Sequence, residues 1–360
     1  MRSLEARPWE HGSELTLPWA VPQEPPDSGP SYPWTEARLY GSGRDALRAL
    51  LRHGNRQHGW RRLWVPSYLC QEVAGAARLE IPLEVYEDRP SMVNATGFLT
   101  EVRDGDVVYR VNTFGLRDVS WKIDSDVVTV IEDHTHDPWS PWAASSSADF
   151  ALASLRKTLP LPDGGALWSP RGLMLPPPLP VTAARQRSAE AKFAGQTLKA
   201  LYLAGCPMDK ETFRQLCIKG EEDIASGDPS GMSDIARALL EAFPTHTWRE
   251  QRRANFELVA GQLRLPHDYA LLSPASGACA FALVLRCPSR SARDSLRRAL
   301  IGNGVYPAVL WPLDNPIADP IEAAAVELSE RLLSLHCDYR YDAAHMNRLA
   351  SILADELGVE

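Results

Sequence analysis

ADFALASLRKTLPLPDGGALW, residues 148–168, reads as strand, turn, strand. ADFALASL (148–155) and GALWS (165–169) are short apolar runs. Between them Pro160, Pro162, Asp163, Gly164 and Gly165 break any regular structure. Lys157 stands where the first run ends. Upstream, VVTVIED (127–133) and VVYRV (107–111) are β-branched runs of the buried-strand type. LWVPSY (63–68) and PLEVYE (82–87) are further strands. GSGRDALRALLRH (41–53) is a glycine turn entering a helix, with Ala46, Leu47, Leu50 and Leu51 on one face. QEVAGAARL (71–79) is a second helix. Strands alternating with helices predict an α/β fold with a mainly parallel sheet covered on both faces.

Downstream the pattern changes twice. Residues 183–264 read as helical, through AARQRSAEAKFAGQTLKALYLAG, ARALLEAF and TWREQRRANFELVAGQLRL, with Thr247 as the expected cap of the last. CAFALVLRC (279–287) then reads as a strand and SARDSLRRALIGNG (291–304) as a helix. VYPAVLWPL (305–313) reads as a strand-like run with prolines, and PIEAAAVELSERLLSL and DAAHMNRLASILADEL as two more helices. Residues 1–35, rich in Pro, Glu and Trp, have no period and read as an irregular arm; Trp9, Trp19 and Trp34 predict that it packs on something, a second subunit among the candidates. The expected organisation is an arm (1–35), a large domain (36–264) and a smaller C-terminal αβ domain (265–360).

Composition narrows the function. A net charge of −8 and a pI near 5.7 argue against nucleic-acid binding, which needs a concentrated basic surface. No apolar run approaches the length of a membrane span, and the N-terminal stretch lacks the apolar region of a secretory signal. Cys70, Cys206, Cys217, Cys279, Cys287 and Cys337 show no C-x-x-C spacing and read as reduced thiols. The expectation is a cytoplasmic protein.

Three elements carry chemistry. Lys157, one of only six lysines among 38 basic residues, ends a strand before a double glycine. A lysine that must reach an aldehyde from a rigid support suits such a strand end. Asp133 ends VVTVIED, where open α/β sheets bind ligands. A carboxylate there can keep a pyridine nitrogen protonated, so that the ring acts as an electron sink. The turn of Ser42, Gly43 and Arg44 opens a helix whose free N–H groups suit a phosphate, and Ser154 adds a hydroxyl. Together they predict a pyridoxal 5′-phosphate (PLP) cradle with Lys157 as Schiff-base lysine and Asp133 at the ring nitrogen. Asn112 and His136 are the candidates that orient the ring.

Rival motifs fall short. S-x-x-K also marks penicillin-binding enzymes, but S-D-N and K-T-G are absent, as is G-x-S-x-G. His134 and His136 with Glu132, Asp133 and Asp137 invite a metal reading, yet no third histidine stands at ligand spacing, so no metal is expected.

The segments SGRDAL (42–47), VPSYLCQEV (65–73), VNTFGL (111–116), VIEDHTH (130–136), SLRKTLPLPDGG (154–165), REQRRANFELV (249–259), NGVYPAVLWPL (303–313) and LLSLHCDYRY (332–341) together resemble the sugar aminotransferase (DegT/StrS-type) family. The resemblance spans most of the chain beyond residue 40. It implies an aspartate-aminotransferase-like fold (PLP fold type I) and a homodimer with active sites at the interface. It also implies transfer of an amino group from an amino-acid donor to a keto or aldehyde small molecule, such as a keto-sugar nucleotide or natural-product intermediate. Family members often stack an aromatic ring on the cofactor after the Pro-Ser pair; here Tyr68 or Cys70 stands near that point. The segment before the lysine is shorter than the family's. Arg340 and Tyr341 are candidates to meet a substrate carboxylate or carbonyl. The same cofactor supports elimination or dehydration, and a non-catalytic PLP-fold binding protein is the remote alternative.

Overall fold

A computed structural model describes residues 8–23, 34, 36–90, 92, 95–118, 123, 128–225 and 227–359. The rest of the expected arm, 1–7, 24–33 and 35, lies outside the described residues, as does Val127 at the head of its predicted strand.

The first half alternates as expected. After β1 (His11–Gly12) come β2 (Arg38–Tyr40), α1 (Gly43–Gln57), β3 (Arg62–Pro66), α2 (Gln71–Arg78), β4 (Leu83–Tyr86), β5 (Asp106–Val111), β6 (Thr129–Asp133), the single turn α3 (Pro141–Ala144), β7 (Phe150–Ala153) and β8 (Gly165–Trp168). Seven strands form one sheet in the order β2-β8-β7-β6-β5-β3-β4. The block β4, β3, β5, β6, β7 is parallel; β8 runs antiparallel to both β7 and β2. Alternation sorts side chains between the faces. Phe150, Leu152 and Leu167 join α1 and α2 on one side, while Ala151, Ala153, Ala166 and Trp168 pack with Trp34 and Trp248 on the other. Each fully buried leucine of α1, such as Leu47 or Leu50, contributes roughly 1.5–3 kcal/mol.

Four helices follow: α4 (Ala183–Leu203), α5 (Lys210–Ala225), α6 (Asp234–Ala242) and α7 (Thr245–Gln262). The sequence pattern did not single out α5. Its buried apolar contacts are few, Phe213 and Cys217 among them, and it is held by α4. Gly195 of α4 and Gly220 of α5 allow that contact: a Cβ on Gly195 would lie 2.7 Å from Cys217 Sγ, and one on Gly220 2.8 Å from Lys192 Cβ. Thr247 is not a cap. α7 begins two residues earlier behind Pro244, whose ring suits a helix start without a side-chain cap bond.

The remaining elements are β9 (Ala270–Leu271), β10 (Ala282–Arg286), α8 (Arg290–Gly302), β11 (Val305–Tyr306), α9 (Ala323–Arg331), β12 (Leu332–His336) and α10 (Ala343–Leu357). β12, β10 and β9 form a separate antiparallel sheet. This corrects the helix expected through residue 335. After Arg331 the run LLSL is buried at every position, paired to β10 on one side and bridged at Ser334 by Ala308 on the other. Of the expected 305–313 strand, Val305 and Tyr306 pair with β1 and Ala308 forms a single bridge to Ser334; Pro307 and Pro312 have no N–H to donate and interrupt the ladder. α7 bridges the two cores: Trp248 packs beneath the large sheet, Phe256 and Val259 beneath the small one.

The arm folds onto its own chain. β1 pairs in parallel with β11, Arg348 lies over the Trp9 ring, and Trp34 stacks on Trp168. Trp19 is 68% exposed. Among the described residues no helix is long and apolar enough to cross a membrane.

Candidate active site

A pocket of about 650 Å³, its open mouth included, lies at the carboxyl ends of β5, β6 and β7. That is where an open parallel sheet leaves a crevice. The starts of α1 and α2, Trp311 and the turn after β7 close its sides.

The α1 wall is built by close approach. Ser42 caps the helix, its Oγ accepting the Asp45 N–H at 3.1 Å. Gly164 donates its N–H to Gly41 O at 2.7 Å, drawing the double-glycine loop across the helix start. A Cβ on Gly165 would lie 2.4 Å from Ser42 C, and one on Gly43 3.0 Å from Ser154 Cβ, so neither position tolerates a side chain without movement. The first-turn N–H groups of Gly43 and Arg44 have no intrahelical acceptor and border the pocket beside Ser154. Thr135 supports this wall, its Oγ1 accepting the Ser154 N–H at 2.9 Å.

Asp133 ends β6 opposite Val111 and Leu152. Both carboxylate oxygens are held: Oδ1 accepts the Thr135 N–H at 2.8 Å, and Oδ2 accepts the Tyr109 hydroxyl at 2.5 Å. His136 is fully enclosed, its Nδ1 accepting the Phe114 N–H at 3.0 Å and its ring stacked 5.4 Å from Trp311. Burial, and then the Lys157 charge, pull its pKa down to about 3, so it presents a neutral ring.

Lys157 closes a short 3₁₀ turn, Leu155–Lys157, directly after β7. It stands in the pocket lining, and its amine makes no hydrogen bond or ion pair with a described residue. The neighbouring Arg156 guanidinium, then burial, hold that amine below the usual lysine range, while Glu221 pulls the other way. Arg156 grips Glu221 of α5 with two hydrogen bonds of 2.6 and 2.7 Å, and Lys192 of α4 adds a third at 2.7 Å. Arg44 Nη2 lies 3.7 Å from the same carboxylate, without a hydrogen bond. Burial pushes Glu221 up, but Arg156, Lys192 and Lys157 outweigh it and hold it well below 4.5.

Ser42, Gly43, Arg44, Asp133, His136, Ser154 and Lys157 therefore share one pocket. Tyr68 and Asn112 do not line it. The Tyr68 hydroxyl donates to Leu310 O, and its ring is buried between Phe114 and Trp311. Asn112 lies past the end of β5, where its Oδ1 accepts the Arg117 N–H at 3.2 Å and supports the following turn. Cys70, from the same sequence neighbourhood as Tyr68, does line the pocket. Arg340 and Tyr341 serve the arm instead. Arg340 binds Asp338 and the carbonyls of Gly12, Ser13 and Glu14, and the Tyr341 hydroxyl accepts the Gly12 N–H.

Sequence patterning missed Tyr109, Thr135, Arg156 and Glu221. Tyr109 carried a signal, the one hydroxyl in the buried-strand run VVYRV. Glu221 carried none, because only the packing of α5 on α4 brings it here. The metal reading finds no support in geometry. His134 pairs with Glu132 at 3.0 Å, Asp137 is bound by Arg249 and Arg252, and no cluster of three or more metal-ligating side chains occurs among the described residues.

No protein-family model and no curated protein matches this sequence. Solved structures do. DesV of S. venezuelae, in complex with a ketimine intermediate, aligns over 89% of this chain and 84% of its own at 16% identity and a TM-score of 0.58. DesI, determined in the presence of its TDP-sugar product, aligns over 90% and 82% at 15% identity and a TM-score of 0.62. PseC of Helicobacter pylori, an aminotransferase involved in the biosynthesis of pseudoaminic acid, aligns over 91% and 88% at 11% identity and a TM-score of 0.61. The chain shares the fold of these solved structures, an α/β architecture with a large, mostly parallel sheet. At these identities the likeness is one of fold, and the chemistry rests on the pocket.

Proposed function

We propose that this protein is a PLP-dependent aminotransferase. It would move an amino group from an amino-acid donor to the carbonyl of a small molecule, of the keto-sugar nucleotide or natural-product type. The observation that carries the reading is an unbonded lysine amine, with its basicity lowered, in the same pocket as a doubly hydrogen-bonded aspartate at a strand end. Among the similar structures, the ketimine complex of DesV and the TDP-sugar product complex of DesI support the same choice for this fold.

The residues present fit the cofactor. Free N–H groups at the α1 start, pinched against Ser154 by Gly43, suit its phosphate. Arg44 Nη2 borders the same wall without a hydrogen-bond partner. Asp133 suits the ring nitrogen, and neutral His136 offers a flat wall. When bound, PLP supplies the electron sink that lets a bond at the substrate's α-carbon ionise. Lys157 would bond to the cofactor through Nζ at rest and, once displaced, carry a proton at Nζ as general acid and base. An amine of lowered basicity is neutral in a larger fraction of molecules near neutral pH, which suits both roles. Asp133 would hold the ring nitrogen in its protonated form. Trp311 and His136 would exclude water from one side of the pocket. The described chain leaves the mouth open, in keeping with a homodimer whose second subunit borders the site.

The test is an absorption spectrum of protein purified with pyridoxal phosphate, for wild type and Lys157→Ala. The wild type is expected to show a visible band and a borohydride-trapped lysine adduct, and Lys157→Ala neither. A band that persists in the variant rejects the assignment. Loss of the band on adding an amine donor, and its return with a keto acceptor, separates transamination from elimination.

A further inference from the structure

Asp133 is held from two directions. The Thr135 N–H is part of its own loop and comes with the turn after β6. The Tyr109 hydroxyl comes from the neighbouring strand. In the β5–β6 register Tyr109 lies opposite Ile131 and Val111 opposite Asp133. Tyr109 and Asp133 are thus diagonal neighbours on one face, within reach of a long side chain. The phenol is 1% exposed. Burial, then the Asp133 charge, push its pKa well above 10, so it remains a donor throughout the working range. A neutral donor on a carboxylate makes a charge-assisted bond, shorter and stronger than a neutral one.

We propose that Tyr109 is a positioning residue that fixes the Asp133 carboxylate and, through it, sets how firmly a bound pyridine ring is held and protonated. The inference rests on the PLP reading above and adds to it a residue of the same pocket that acts through Asp133. With Oδ2 tied to β5 and Oδ1 tied to the loop, the carboxylate cannot rotate, and its remaining lone pairs keep one direction toward the pocket. Without the hydroxyl, the carboxylate keeps only the loop bond and turns more freely.

Tyr109→Phe keeps the ring and removes only the hydroxyl. Two quantities report on it: the dissociation constant for pyridoxal phosphate, and the pH midpoint of the visible band of the loaded protein. The other titratable groups bordering the pocket, Arg44, Cys70, Glu72, His136, Arg156 and Lys157, are unchanged by the substitution. The expected result is cofactor binding weakened roughly tenfold, the effect of one charge-assisted hydrogen bond, with a displaced midpoint. Tyr86→Phe is the control. Its hydroxyl donates to Tyr109 O at 2.9 Å, while its ring packs in another buried cluster with Trp64 and Val108. That variant is expected to lose thermal stability and keep the wild-type midpoint. Equal midpoints in wild type and Tyr109→Phe overturn the inference and leave the PLP reading standing, as do equal displacements in Tyr109→Phe and Tyr86→Phe. A wild-type protein that takes up no pyridoxal phosphate overturns both.

Discussion

The two ends of the pocket are built on opposite principles. At the Asp133 end both carboxylate oxygens accept hydrogen bonds, and His136 Nδ1 accepts one from the Phe114 N–H. At the Lys157 end the amine is unbonded, while the cations around it are locked onto Glu221. A group that must orient a ring gains from rigidity. A group that must form and break bonds gains from freedom and from a charge environment that others hold still. The difference teaches that the reactive group is recognised by what it lacks, a partner, and the orienting group by what it has.

Substitutions test that contrast in decreasing order of effect. Lys157→Ala removes the unbonded amine of the pocket, and turnover is expected to fall by roughly 10⁴-fold or more, measured as amino transfer at saturating donor. Its thermal stability is expected to stay close to wild type, because no bond is lost; a large drop would show that the amine is structural. Asp133→Asn keeps the shape of the rigid end but removes its charge. A loss of roughly 10²–10³-fold is expected, typical of a lost electrostatic stabiliser, and a near-normal rate would break the comparison.

Glu221→Gln probes the free end indirectly. It leaves Arg156 and Lys192 uncompensated, and because Glu221 raises the proton affinity of Lys157, the midpoint of Lys157 labelling by an amine reagent is expected to move to lower pH. The sign for stability is the reverse of a basic group. A carboxyl held well below 4.5 in the folded chain contributes stability that is present above 4.5 and lost as pH falls below it. Acid unfolding of the wild type should therefore steepen below pH 4.5, and Glu221→Gln should flatten that limb. The smallest effect is expected from Thr135→Val, which leaves the buried Ser154 N–H without its acceptor at a cost of about 1–3 kcal/mol, read from the denaturant midpoint.

Legibility in the sequence followed how local the cause was. The α1 start was legible because Ser-Gly-Arg before an apolar face is a local signal, and β6 because Val, Ile and Thr in a run suit a buried strand. LLSL after α9 was not, since a continuous apolar run of that length serves equally as the end of a helix. Tyr68 and Asn112 stood beside the right segments but face away, because the bend after β3 and the turn after β5 direct them into packing. Arg340 and Tyr341 read as polar candidates near the chain's end, yet their partners are carbonyls and N–H groups of an arm more than 300 residues earlier.

Sequence by itself determined the alternating strands and helices, the positions of Asp133 and Lys157 at strand ends, and the glycines that let Ser42, Ser154 and the double-glycine loop meet. These follow from residue-level propensities and periodicity, which act over a few positions. Only the tertiary structure decided that Tyr109 holds Asp133, that Glu221 from a distant helix compensates the cations beside Lys157, and that the arm is clamped by the small sheet's neighbours. Those are contacts between segments whose separation no local pattern encodes, formed because buried polar groups must find partners wherever the packed chain supplies them.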